Sequence, residues 1–126
     1  MSLRTPLSRV RGLGSAKEGV THWWAQRVTA VALVPLILWF VISLLSVAYA
    51  DYETAITWVG RPLNTALLVV LLFSVYYHAQ LGMQVVIEDY VHTEGAKLVS
   101  LLIMKFIMVL LGVSAILAVL RIAFGG

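Results

Sequence analysis

The chain has 126 residues, of which 61% are hydrophobic and only 12% charged, and it has no cysteine; a soluble domain has about 45–50% apolar and about 25% charged residues. Nine basic and six acidic side chains cannot cover a water-facing surface, and the mean hydropathy of +0.96 places the chain in a bilayer. Without cysteine there is no disulfide framework, thiolate zinc site, protein-ligated iron–sulfur cluster or cysteine nucleophile; after three spans of about 20 residues the remainder is too scattered for a catalytic domain, so any chemistry is shared with partner subunits.

Residues 1–27 form a polar amino-terminal segment with Arg4, Arg9, Arg11 and Lys17, in which Gly12, Gly14 and Gly19 predict interruption of any regular helix. The apolar run that follows is too long for a secretory signal, and Glu18 with the lack of serine enrichment favours an uncleaved cytoplasmic tail over a mitochondrial transit peptide. A first transmembrane helix is predicted over residues 28–50, which carry no charge. Pro35 inside it is tolerable in a membrane where neighbouring groups satisfy the freed carbonyl. Trp23 and Trp24 at one end, with Tyr49 and Tyr52 at the other, fit the interfacial aromatic belts.

Residues 51–62, with Asp51, Glu53, Gly60 and Arg61-Pro62, read as a periplasmic loop. The second span, residues 63–87, is apolar until Ser74, then carries Tyr76, Tyr77, His78, Gln80 and Gln84, and runs into Glu88, Asp89 and Tyr90. Residues 88–97 form a cytoplasmic turn and residues 98–124 a third span, with Lys105 able to snorkel to the nearer interface. The fold class is therefore an all-α membrane protein of three transmembrane helices, one part of a multi-subunit helical bundle.

Lys and Arg set the orientation. Arg4, Arg9, Arg11, Lys17, Arg27, Lys97 and Lys105 gather on the side of the amino terminus and the second connection, against Arg61 and Arg121 opposite, which puts the amino terminus in the cytoplasm. The net charge of +3 is thus a matter of topology and not of nucleic-acid binding.

His78 is the informative residue, because ionisable groups inside a span are costly and usually functional. Two readings stand side by side. Its imidazole either hydrogen-bonds a neighbouring helix through Ser, Thr or a backbone carbonyl, or serves as an axial ligand to haem iron, for which neutral imidazole is suited. Gly82, one turn along, leaves room for a flat macrocycle or another helix. Asp89, eleven positions from His78, lies about 20° round and about 16 Å along an ideal helix, on the same stripe. Leu81, Gly82 and Val85 share that stripe. His22 and His92 lie at span ends, so a second axial histidine must come from another chain. Asp89 and Tyr90 also read as ordinary interfacial residues, and Arg27 as a positive-inside anchor. Gln80 and Gln84, spaced i to i+4, suit hydrogen bonds across the bundle.

The run His78-Ala79-x-x-Gly82-Met83 followed by Asp89-Tyr90 resembles the haem and quinone segment of the hydrophobic membrane anchor subunits of succinate dehydrogenase, the D subunits of complex II. A second match is His22 followed five residues later by Arg27-Val28-Thr29-Ala30 at the entry to the first span. The resemblance spans all three helices in length and order.

It implies a four-subunit respiratory complex of the tricarboxylic acid cycle and electron transport chain, in which a flavoprotein carrying FAD oxidises succinate and an iron–sulfur protein passes the electrons to ubiquinone at the membrane. The anchor and a cytochrome b subunit would hold the complex in the bilayer and clamp one haem b between them. By that resemblance His78 is an axial ligand to the haem iron, Tyr90 hydrogen-bonds a quinone carbonyl, Asp89 lies close to that site and Arg27 lies near the haem propionates. The chain would not be catalytic alone, and the expected location is a bacterial inner membrane in preference to a mitochondrial one. A fumarate reductase anchor is the close variant. A small transport or assembly subunit is the alternative of a different class; a proton-coupled exporter would be expected to carry a mid-span acid, whereas every Asp and Glu here lies at a span end or outside.

Overall fold

The structure, a computed structural model, describes residues 13–125, with side chains described from Gly19 onward. The arginines at positions 4, 9 and 11 of the expected tail therefore lie outside the described residues. Four helices follow in order: α1 Leu13–Val47, α2 Tyr52–Gly60, α3 Pro62–Tyr90 and α4 Glu94–Ala123. Among the described residues there is no strand. Three segments, Gly19–Val47, Pro62–Tyr90 and Glu94–Ala123, are long and apolar enough to cross a membrane.

α1 departs from the sequence expectation at its start. It is one helix of 35 residues running through Gly14, Gly19 and Pro35, so the glycines do not interrupt it. A glycine in a helix costs about 1 kcal/mol relative to alanine. Leaving backbone N–H and C=O groups unpaired near hydrocarbon costs several kcal/mol each, and the helix is the smaller penalty. α1 is about 52 Å long and α3 and α4 about 43–45 Å, against a hydrocarbon core of about 30 Å; all three must tilt or emerge.

The connection read as a loop contains a nine-residue helix, α2. Asp51 caps it: the Thr54 N–H donates to Asp51 Oδ1 at 2.9 Å, satisfying one of the free donors of the first turn. Hydrogen bonds from Thr54 hold the Asp51 carboxyl below its ordinary value. Pro62 then starts α3 where a missing N–H is harmless. Asn64 Nδ2 donates to the Trp58 carbonyl at 2.8 Å and Thr65 Oγ1 to the Val59 carbonyl at 2.7 Å, tying the end of α2 to the start of α3.

The spans form a row. α3 packs against both α1 and α4, which scarcely touch each other. The core sits towards the α2 end, where Leu33, Leu68 and Leu71 are buried and Trp39, Phe40, Trp58, Val59 and Val119 close around them. Trp39 and Trp58 stack with centroids 5.7 Å apart. At the α3–α4 contact, Gly112 lets α4 approach Tyr76, whose Cγ lies 3.3 Å from where a Cβ on Gly112 would be. Most large apolar side chains, such as Val31, Ile42, Leu45, Phe106 and Leu110, point outward, as expected of surfaces that meet lipid or other helices.

Candidate functional site

α3 brings its polar residues to two different neighbours. Tyr76 faces α4 at Gly112. His78, half-buried, faces α1, where its Nδ1 lies 3.0 Å from Thr29 Oγ1. Thr29 is 8% exposed, and its hydroxyl also reaches the Ala25 carbonyl at 2.7 Å and the Gln26 carbonyl at 3.1 Å. This is the usual back-bond of a helical threonine. One turn further along α3, a Cβ on Gly82 would sit 4.0 Å from Gln26 Nε2. The two helices are therefore matched antiparallel, Thr29 opposite His78 and Gln26 opposite Gly82.

His22, Gln26 and Thr29 follow one another at i, i+4 and i+7, a single stripe on α1. Two atoms of that stripe, His22 Nε2 and Gln26 Oε1, are buried without a hydrogen-bond partner. Among the described residues, His78 Nε2, on a half-buried ring, also has no partner. A buried polar group left unpaired costs about 1–3 kcal/mol, so the two buried atoms on α1 mark a helix contact whose polar groups are not all satisfied within it.

The other site residues expected from sequence lie towards the rim. Arg27, two positions before Thr29, is level with His78 to within about 3 Å along the axis; it is exposed, with its Cζ 5.0 Å from the centroid of the Trp23 ring. Asp89 and Tyr90 end α3. Both are exposed, Tyr90 to 77%, and among the described residues neither side chain has a hydrogen-bond partner. The chain does not bring them to His78, which lies about 16 Å away along the helix. Gln84 does not reach across the bundle: its Nε2 donates to Glu88 Oε1 on the same helix at 3.0 Å. Gln80 instead lines a small crevice with Tyr76, Met108 and Gly112 between α3 and α4. Among the described residues no three His, Cys, Asp or Glu side chains cluster as a metal cage.

Thr29 and Gln26 are the residues that sequence reading missed. Thr29 stands in the Arg27-Val28-Thr29-Ala30 run, but its partner lies 49 positions away, and the periodicity within one helix carries no trace of which residue on another it meets.

A row of three long apolar helices, with a partly unpaired polar stripe where two of them meet, defines a helical membrane protein. The family model described as "Succinate dehydrogenase/Fumarate reductase transmembrane subunit" matches residues 1–112. The succinate dehydrogenase hydrophobic membrane anchor subunit of Rickettsia bellii is 36% identical over 116 residues, 92% of this chain and 93% of that protein. The succinate dehydrogenase membrane anchor subunit of Reclinomonas americana is 33% identical over 94 residues, 72% of this chain and 78% of its own length. The hydrophobic membrane anchor subunit of Paracoccus denitrificans is 34% identical over 86 residues, covering 68% and 67% respectively. The chain belongs to the succinate dehydrogenase/fumarate reductase transmembrane subunit family. It is a membrane subunit, not catalytic alone.

Proposed function

We propose that this chain anchors a succinate:ubiquinone oxidoreductase in the bacterial inner membrane, shares one haem b with a cytochrome b subunit and contributes to the site of ubiquinone reduction. The observation that carries the reading is the state of His78: its Nδ1 is engaged by Thr29, and Nε2 has no partner among the described residues. The two readings of this histidine use different nitrogens, and a ring tethered through one and free at the other suits an axial ligand. A haem bound here would supply a one-electron store; His78 would ligate its iron, with the other ligand from the cytochrome b subunit, and Arg27, level with His78, would neutralise a propionate.

Quinone reduction takes two electrons and two protons. The quinone head group sits at the rim, near the iron–sulfur protein, which together with the FAD-bearing flavoprotein docks on the cytoplasmic side. There the Tyr90 hydroxyl donates to a quinone carbonyl oxygen and polarises it, and Asp89, exposed beside it, passes protons from water. The partner's flavin and clusters decide whether the complex runs towards succinate oxidation or fumarate reduction.

The test is a dithionite-reduced minus oxidised visible spectrum of the purified complex. His78→Ala is expected to abolish the low-spin b-type signal; a signal left intact sinks the ligand assignment. For the quinone, Tyr90→Phe should lower succinate-to-quinone turnover about 100-fold or more, as for loss of a positioned proton donor, while dye-coupled succinate oxidation persists. Equal loss of both activities would mean failed assembly and would remove the case for Tyr90.

A further inference from the structure

Thr29 has one hydroxyl hydrogen and three groups within reach of it: the Ala25 carbonyl at 2.7 Å, the Gln26 carbonyl at 3.1 Å and His78 Nδ1 at 3.0 Å. A carbonyl can only accept, whereas an imidazole nitrogen donates or accepts according to tautomer. The shortest contact belongs to Ala25. With the hydrogen committed there, the Thr29 oxygen is left as an acceptor, and the one arrangement that satisfies every contact has the His78 Nδ1–H donating to it. The neutral ring then carries its lone pair on Nε2, the nitrogen without a partner among the described residues.

We propose that Thr29 is a positioning residue for the metal ligand: through the relay His78 Nδ1–H to Thr29 Oγ1–H to the Ala25 carbonyl, it fixes the ring of His78 and selects the tautomer that offers Nε2 to iron. The proposal rests on the reading of His78 as an axial ligand. Each hydrogen bond in such a relay polarises the next, so the backbone of α1 draws on the Nδ1 proton and makes Nε2 a stronger electron donor. Groups that bind the far nitrogen of a ligating histidine have this effect on basicity, and their loss costs about 10- to 100-fold in metal affinity. The relay also fixes the depth of the ring, because Thr29 is 8% exposed and its oxygen is held by its own helix.

The experiment compares Thr29→Val, which keeps the shape and removes the hydroxyl, with Thr29→Ser, which restores it, in the assembled complex with flavin content as the measure of assembly. In Thr29→Val the haem is expected to be lost to apomyoglobin with affinity lower by about 10- to 100-fold. What remains should show a higher midpoint potential, since a less basic imidazole stabilises ferric iron less, and altered low-spin ferric EPR features. Thr29→Ser should return all three to those of the parent. A Thr29→Val complex with unchanged potential and EPR spectrum, alongside a His78→Ala complex that has lost its signal, overturns the proposal while leaving the ligand assignment standing. A signal unchanged in His78→Ala overturns both. Should Thr29→Val not assemble, the comparison moves to Thr29→Ser and Thr29→Ala: a parental potential in the first with a raised one in the second supports the relay, and equal potentials refute it.

Discussion

At the α2 end of the helix row, polar groups are answered within the chain: Asp51 caps α2, and Asn64 and Thr65 close on the carbonyls of Trp58 and Val59. Three buried leucines, Leu33, Leu68 and Leu71, gather there too. At the other end, α1 and α3 meet through a polar stripe in which His22 Nε2 and Gln26 Oε1 are buried without partners, and Asp89 and Tyr90 stand exposed. The same three helices thus satisfy their polar groups at one end and leave some unpaired at the other. On the proposed reading, stability and function lie at different depths of one membrane subunit, and substitutions at the two ends should separate them.

The largest expected contrast is between Trp58 and His78. Removing the Trp39–Trp58 stack with Trp58→Ala should cost about 3 kcal/mol and lower the thermal midpoint of the complex, yet leave the b-type spectrum of the surviving material unchanged. His78→Ala should do the reverse. A haem spectrum altered by Trp58→Ala would break the separation of the two ends. Next comes Gly112→Ala, which puts a methyl group 3.3 Å from Tyr76 Cγ; the overpacking should cost about 1 kcal/mol, read as a modest fall in thermal midpoint. A shift in haem absorbance with it would show that Tyr76 transmits the strain to His78. The smallest effect belongs to Asp51. Its folded-state carboxyl lies below its ordinary value because Thr54 hydrogen-bonds it, so its capping is complete above the unfolded-state pKa and is lost as pH falls through the folded one. Hydrogen exchange of the first-turn amides of α2 should accelerate at acidic pH, and Asp51→Ala should remove that dependence without touching quinone turnover.

Much of this architecture is legible in the sequence because a bilayer enforces it: uncharged runs must be helices, and His78 stands out because hydrocarbon makes imidazole expensive. What composition hides is local compensation. Gly14 and Gly19 look like breakers only if the alternative is solvated coil, and the stretch from Asp51 to Pro62 looks like a loop although Asp51 and Thr54 already spell an N-cap. The Thr29–His78 contact is hidden for another reason, since the pairing of two helices depends on their relative height, which neither helix encodes alone.

The unbroken course of α1 has a mechanical consequence. From Leu13 to Val47 it is a strut and not a leash: about 24 Å of unbroken helix joins its outer end, where the soluble subunits of such a complex would press on it, to Thr29, which contacts His78. A push at the outer turns would move Thr29 as a rigid translation instead of being absorbed in a coil. Strain from docking would then be felt directly at the ring, and the helix register of α1 would set how deep in the membrane a haem bound at His78 would ride.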